Sequence, residues 1–267
     1  QRVGDPRGRG LAAIQLGEAL RRLGLWARTG QTFPATAEEL FEAAKRALGE
    51  AMEIFVVGEL SPQEREEGKV REPLRRLEAE LERGRLFRDR LIGSQRRGWA
   101  QEGKWYSAAM GTLEEVARQA RESGWHRLEL EALTELAWAH YWAAREADQP
   151  EEHEKAFQRA QEAIERVRSR LSEIPRGPYT AYSAVHIALI RARIALDSFQ
   201  QWVEKEKGVW ESRKGKRPQI DVKAIRREIR TRIGEEIRQD PHGLKEAIEA
   251  ILEGLRETRQ LETCAPI

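Results

Sequence analysis

Apolar residues recur at helical spacing along most of this 267-residue chain. The first such run ends before Gly24 and contains Leu11, Ile14, Leu16, Leu20 and Leu23. A period of three to four residues between apolar positions is typical of an amphipathic helix. Strand signals are nearly absent, since the β-prone residues 54–57 (IFVV) only end a helical run. The pattern therefore predicts an all-α protein, built from consecutive antiparallel helix pairs.

Capping signals divide the first third of the chain. Thr36 with Glu39 three residues later forms a capping box, which predicts a helix from Ala37. Ser61 followed by Pro62 predicts a second helix start, because proline is tolerated in the first turn. A break at Pro73 then precedes an apolar face of three leucines, at positions 74, 77 and 81.

Helical runs continue through the rest of the sequence. Gly124 closes one of them, and Pro150, Pro175 and Pro178 separate others. The predicted helices cover residues 104–123, 126–146, 150–174, 179–196 and 197–210, followed by a linker over 211–219 and two polar helices over 221–239 and 243–261. Glycines inside helices lower helix propensity by about 1 kcal/mol each, but small residues also let helices approach closely. Examples are Gly17, Gly49 and Gly111.

Residues 133–144 (LTELAWAHYWAA) concentrate aromatic and small side chains. Leu136, Ala137 and His140 share one helical face with Leu133 and Ala144. The aromatic residues Trp138, Tyr141 and Trp142 lie on an adjacent face. Such a surface could stack a cofactor or a nucleic-acid base, but the pattern favours packing between helices.

Spaced small residues continue in the next helix, with Ala156, Ala160 and Ala163. From residue 86 to about 199 the chain resembles tetratricopeptide repeats, in the longer form found in bacterial signalling proteins, although its units are about 50 residues apart instead of ~34. A looser unit contains Trp99, Gly103, Trp105 and Ala108, and a third begins near Ile187 and Ala188. The resemblance implies packing roles for Trp99, Leu136, Ala137, His140, Ala156, Ala160 and Ala163.

The same resemblance implies a function. Stacked helix pairs form a concave surface that binds an extended or helical segment of another protein. It also suggests a division into an N-terminal helical region (1–85), a tetratricopeptide-like centre (86–212) and a basic linker with C-terminal helices (213–267). The expected partner is another protein or another part of the same assembly.

Composition narrows the alternatives. Charged residues make up 34% of the chain, hydrophobic residues 40%, and the net charge is only +2. A charge this small gives no general attraction to polyanions. Few methionines, one cysteine and no asparagine indicate a thermophilic or GC-rich source.

Cysteine content and hydropathy indicate the compartment. Cys264 is the only cysteine, which excludes a disulfide within the chain and a multi-cysteine zinc site. No apolar run approaches the ~18 residues of a membrane span. The first ten residues lack the apolar region of a signal peptide. These features predict a cytoplasmic protein that does not enter a membrane.

One local charge excess stands out. Residues 205–232 contain 11 basic and 4 acidic side chains, which leaves a charge of −5 on the rest of the chain. Such a segment can hold phosphates without sequence preference, dock on an acidic protein, or remain solvated. The candidate binding residues are Arg213, Lys214, Lys216, Arg217, Arg226, Arg227 and Arg230.

Catalytic patterns are weak. The chain has no phosphate-binding loop, no dinucleotide fingerprint and no HExxH pair. Its five histidines have no metal-ligand spacing, so no metal or cofactor is predicted. Arg121 and His126 match the loose Arg-x4-His spacing of a family of helical ribonucleases. That resemblance would imply that the two residues bind a phosphate and transfer a proton. The sequence favours a non-enzymatic interaction scaffold or regulatory adaptor, then a nucleic-acid-binding protein, and third a helical ribonuclease.

Overall fold

A computed structural model describes residues 5–28, 30, 32–92, 99–145, 150–175 and 177–214. For helix residues 99–103, 150–153 and 198–214 it describes the backbone alone. In this part of the chain the fold is all-α, as predicted, with eight helices and one short strand pair. The two polar helices predicted over 221–239 and 243–261 lie outside the described residues.

The elements follow one another with short connections. Their order is α1 (Pro6–Arg28), α2 (Ala37–Ile54), β1 (Phe55–Val56), α3 (Pro62–Glu66), β2 (Val70–Arg71), α4 (Pro73–Asp89), α5 (Trp99–Glu122), α6 (His126–Arg145), α7 (Pro150–Glu173) and α8 (Pro178–Lys214). The strands β1 and β2 pair in parallel, with Phe55 opposite Val70. The chain divides into two compact units, residues 1–175 and 176–267. The domain boundaries suggested by the sequence stay predictions.

Local signals determine where several helices begin and end. The Thr36 side chain accepts a hydrogen bond from the Glu39 backbone N–H, and Glu39 accepts one from the Thr36 backbone N–H. This confirms the predicted capping box. Ser61 and Glu64 form a second capping box at α3. Gly124 has a φ of +70°, a left-handed conformation that glycine adopts without strain, and it turns the chain from α5 into α6.

Three boundaries differ from the prediction. Helix α8 is continuous from Pro178 to Lys214, so no boundary separates residues 179–196 from 197–210, where the sequence contains neither proline nor a cap that would end a helix. Helix α1 continues through Gly24 to Arg28, because Gly24 faces Phe41 of α2 and serves packing there. Helix α8 continues to Lys214, so residues 211–214 are not part of a linker. Residues 211–214 contain neither proline nor glycine, and nothing in them ends a helix.

Glycines bring α1 close to α2. A Cβ atom at Gly17 would lie 2.6 Å from Cγ of Leu48, and one at Gly24 would lie 2.8 Å from the ring of Phe41. Leu48 and Phe41 are fully buried, so neither can move aside easily. Gly49 and Gly111 meet nothing within 4 Å, and helix contact does not explain them.

We expect Gly17→Ala to lower the free energy of unfolding by about 1–2 kcal/mol. Overpacking a core costs about 1–3 kcal/mol, and the gain in helix propensity from glycine to alanine offsets about 1 kcal/mol. The matched control is Gly111→Ala, which should stabilise α5 by about 0.5–1 kcal/mol. Urea unfolding of both variants measures the difference, and equal effects would contradict the close approach of α1 to α2.

Helix α6 lies at the centre of the first unit and packs against α4, α5 and α7. Of residues 133–144, eleven are buried and only Trp142 is partly exposed. Trp142 stacks on Trp138 with ring centroids 6.3 Å apart, and Tyr141 contacts Phe157 of α7 at 6.2 Å. The aromatic side chains of this stretch therefore pack against one another and against α7.

Charged side chains also lie inside this unit. Asp89 is fully buried and accepts hydrogen bonds from Arg21 at 2.5 Å and Arg88 at 2.6 Å. Further ion pairs connect α1, α4 and α6, and we call the set the buried ion network: Arg21, Glu82, Arg85, Arg88, Asp89, Arg127, Glu131 and Glu135. The network reaches the surface at Arg127, whose side chain is exposed and pairs with Glu131. Its four arginines balance its four carboxylates, so the network carries no net charge.

Candidate binding groove

A groove runs along the surface formed by α5, α6 and α7. It consists of two adjoining cavities of about 490 and 380 Å³, which share Glu114 of α5 and Arg166 of α7. We call the whole the α5–α7 groove. Its charged lining residues are Glu114, Arg118, Arg121, Glu129, Arg159, Glu162, Arg166, Arg170 and Glu173. Five arginines and four glutamates give the groove both signs of charge.

The larger cavity has an aromatic pair in its lining, and we call it the His140 cavity. Tyr106 Oη and His140 Nδ1 share a hydrogen bond of 2.7 Å, and the two rings meet edge to face. Burial lowers the pKa of His140 to about 4, and the nearby charges of Arg159 and Arg166 act in the same direction. His140 is therefore neutral at neutral pH.

The smaller cavity, which we call the Glu129 cavity, centres on a buried carboxylate. Glu129 is 2% exposed, and its Oε1 accepts a hydrogen bond from Arg170 Nε at 2.9 Å. Its Oε2 is buried and has no hydrogen-bond partner among the described residues. Arg170 also reaches His126, with Nη2 3.2 Å from Nδ1. Arg170 thus links the start of α6 to the end of α7.

The arginines of the groove differ in their partners. Arg118 pairs with Glu122 at 2.7 Å, and Arg170 pairs with Glu129. Within the described part of the chain, Arg159 and Arg166 have no carboxylate oxygen within 4.0 Å. Both side chains are exposed and line the His140 cavity. Arg159 interacts with the Tyr106 hydroxyl, but neither arginine has its charge balanced by a carboxylate among the described residues.

The residues predicted to pack are distributed over α5, α6 and α7. Leu136, Ala137, Ala156 and Ala160 are buried. His140 and Ala163 are also buried, but they line the His140 cavity as well, so these two border the groove. Trp99 begins α5, where only the backbone is described.

The predicted basic binding residues cannot be placed in the same way. Arg213 and Lys214 end α8, where only the backbone is described. The other five, Lys216, Arg217, Arg226, Arg227 and Arg230, lie outside the described residues. Their role in binding stays a prediction.

The Arg-x4-His pair lies at the Glu129 cavity. Arg121 is close to the end of α5 and its Nε is 3.9 Å from Glu129 Oε1, while His126 begins α6. Gly124 interrupts the helix between them. The turn brings both residues near the same carboxylate, and Arg170 Nη2 lies 3.2 Å from His126 Nδ1.

Sequence reasoning missed Arg159 and Arg166. A usable signal was present, because Arg159, Glu162, Arg166 and Arg170 follow the i, i+3, i+7, i+11 spacing of one helical face. That charged face lies beside the buried alanine face of α7, and Ala163 borders both. The identity of the helix across the groove could not be obtained from this spacing.

Fold and groove together define an all-α protein with a charged groove across three consecutive helices. Comparison with protein-family models, with curated proteins and with solved structures finds no match for the chain. Among the described residues, no group of three or more histidines, cysteines or carboxylates could hold a metal ion. No helix in that part combines the length and the apolar character needed to cross a bilayer.

Proposed function

We propose that this chain is a protein–protein interaction module of the scaffold or regulatory adaptor type. A segment of another protein, or of another subunit in its own assembly, lies in the α5–α7 groove. The observation that carries the proposal is the groove itself, a depression lined by polar side chains from three helices. The expected site of action is the cytoplasm.

The length of the groove suits a short peptide segment. Its lining residues on α5 extend from Tyr106 to Arg121, which is about 22 Å at 1.5 Å per helical residue. An extended peptide rises about 3.3 Å per residue. The groove therefore has room for about seven residues of extended chain.

The charges of the groove favour a protein segment over a nucleic acid. Four glutamates line it beside the five arginines, and carboxylates repel a phosphate backbone. A protein segment can place charges of either sign opposite each of them. Alternating signs also favour one partner over others, since like charges brought together are unfavourable.

A repeat architecture fits this function. In the proposal, α5, α6 and α7 are antiparallel neighbours in a tetratricopeptide-like array, and the small residues Ala156, Ala160 and Ala163 allow close helix packing. The support is the sequence resemblance and the burial of these three alanines. A concave surface formed by stacked helix pairs is the usual binding surface of such arrays.

The second candidate function is nucleic-acid binding through the basic segment 205–232. It is favoured by the local charge of +7 in that segment. A helical ribonuclease that uses Arg121 and His126 ranks third, because Arg170 already occupies His126 Nδ1 and Glu129 draws Arg121. Neither alternative uses the full length of the groove.

The groove can be tested by filling it. We expect twelve-residue peptides selected from a random library on the full chain to bind at least tenfold more weakly to Ser107→Trp and Ser169→Trp. Both serines are exposed and line the groove, so the indole occupies peptide space without disturbing the core. Fluorescence anisotropy with labelled peptides measures the affinities.

The matched control is Ser172→Trp, an exposed position on α7 that lines neither cavity. It should leave peptide affinity unchanged. Equal binding to all three variants would exclude the groove as the docking site. The full chain could instead bind random RNA with micromolar affinity at physiological salt, and lose that affinity when Lys214, Lys216 and Arg217 are changed to Glu. This result would favour nucleic-acid binding over the protein-binding function.

A further inference from the structure

The His140 cavity contains two arginines whose charge is not balanced locally. Arg159 and Arg166 are seven residues apart on α7, which places them on one face of the helix two turns apart. Glu162 lies between them but accepts a hydrogen bond from Gln158 at 3.2 Å. The third exposed arginine of α7, Arg168, is paired with Glu165 at 2.9 Å. Within the described part of the chain, the α7 arginines without a carboxylate partner are thus the two that line the His140 cavity.

The groups around the two arginines restrict the ligand. Tyr106 and His140 hydrogen-bond to each other, and a neutral His140 adds no charge. Glu114 and Glu162 line the same cavity, so a polyanion would meet two carboxylates. A single carboxylate that bonds directly to the two guanidinium groups gains more from them than it loses to Glu114 and Glu162, because direct charge-assisted hydrogen bonds outweigh repulsion at longer range.

We propose that Arg159 and Arg166 form a subsite for one Asp or Glu side chain of the segment that occupies the α5–α7 groove. This inference rests on the proposed function, because the acidic residue is delivered by a peptide lying in that groove. Guanidinium groups donate paired N–H bonds to carboxylates, which gives direction as well as attraction. The subsite therefore fixes the register of the bound segment.

Protonation of His140 supplies an independent signal for occupancy. The positive charges of Arg159 and Arg166 disfavour the protonated imidazole. A bound carboxylate offsets those charges and should raise the pKa of His140 above its value in the free protein. A peptide bound elsewhere in the groove leaves this pKa unchanged.

The test uses the full chain and the peptides selected from the random library. We expect the selected sequences to share an Asp or Glu at one position. Replacing it with Gln or Asn should weaken binding about tenfold or more. Arg159→Gln and Arg166→Gln should each weaken binding of the acidic peptide by a similar factor. These two variants should bind the acidic peptide and the amide peptide with nearly equal affinity. NMR titration should show that the acidic peptide raises the pKa of His140 and that the amide peptide does not.

The control variant Arg168→Gln lies on the same helix outside the groove and should bind the acidic peptide as the parent does. All three arginines are exposed, so stability should change by no more than about 0.5 kcal/mol. Groove-bound peptides that share no acidic residue would overturn the subsite and leave the proposed function standing. The absence of any groove-dependent peptide would overturn both. Tenfold preference for phosphoserine over Glu at the shared position would identify a phosphopeptide site instead and overturn the carboxylate assignment.

Discussion

Replacing Asp89 with alanine should lower the free energy of unfolding by about 3–5 kcal/mol, since removal of one member of a buried ion pair leaves an uncompensated charge. Asp89 is fully buried and holds both Arg21 of α1 and Arg88. Without it the four arginines of the network face three carboxylates. Urea unfolding followed by circular dichroism measures the loss.

The control for this prediction is an exposed pair. Glu165→Ala removes the partner of Arg168 on the surface of α7, and should change stability by no more than about 0.5 kcal/mol. Asp89→Asn keeps the size of the side chain and loses the charge, so it should also destabilise strongly. A loss below about 1 kcal/mol for Asp89→Ala would mean that the network is hydrated and not buried.

Acid should weaken the same network. Burial alone would raise the pKa of Glu135, but Arg88 and Arg85 outweigh burial and lower it. A carboxyl group whose pKa is lowered on folding stabilises the protein above its unfolded pKa of about 4.3. That contribution is lost as the pH falls further. Protonation of Glu135 therefore contributes to the loss of stability below about pH 4.

The parts of the fold that depend on local chemistry could be predicted from the sequence. Thr36 with Glu39 and Ser61 with Pro62 mark helix starts, because a cap needs only neighbouring residues. Gly124 ends α5 for an equally local reason. The helical face containing Leu136 and Ala137 follows from spacing alone. These signals need no knowledge of the helix on the other side.

Features that depend on a partner helix could not be predicted. Glu82, Arg85 and Asp89 follow helical spacing, which in the sequence indicates a solvated face with pairs three or four residues apart. Glu82 and Asp89 are buried against Arg21, more than sixty residues earlier, and Arg85 pairs with carboxylates of α6. A glycine inside a helix, such as Gly17, can indicate close helix packing. Gly49 and Gly111 also lie inside helices, but they face open space.

The groove illustrates the same limit. His140 was predicted to pack, and it is buried. Its pKa, however, also depends on the charges of Arg159 and Arg166 of the next helix. Spacing along α7 places those arginines on one face. It does not show which helix lies opposite or whether a carboxylate there neutralises them. Function in this chain thus depends on contacts between helices more than on any motif.

The stability of the protein should fall by about 3 kcal/mol between pH 6.5 and pH 4 because of His140 alone. Its pKa is about 4 in the folded protein, mainly because burial disfavours the charged ring, and about 6.5 in an unfolded chain. Between these values the unfolded state binds a proton that the folded state does not. Because the folded pKa is lowered, the stabilisation is complete above pH 6.5 and is lost as the pH falls.

The comparison of pH 7 with pH 5 reports histidines, because carboxyl groups titrate mostly lower, and the His140 variant separates His140 from the other four. Stability should drop by about 2 kcal/mol in the parent chain over this interval, at 1.36 kcal/mol for each pH unit below 6.5. His140→Gln cannot take up the proton and should show a flatter profile, whatever its stability at pH 7. A parent profile that is flat from pH 7 to pH 5 would show that His140 is not held neutral by burial beside Arg159 and Arg166.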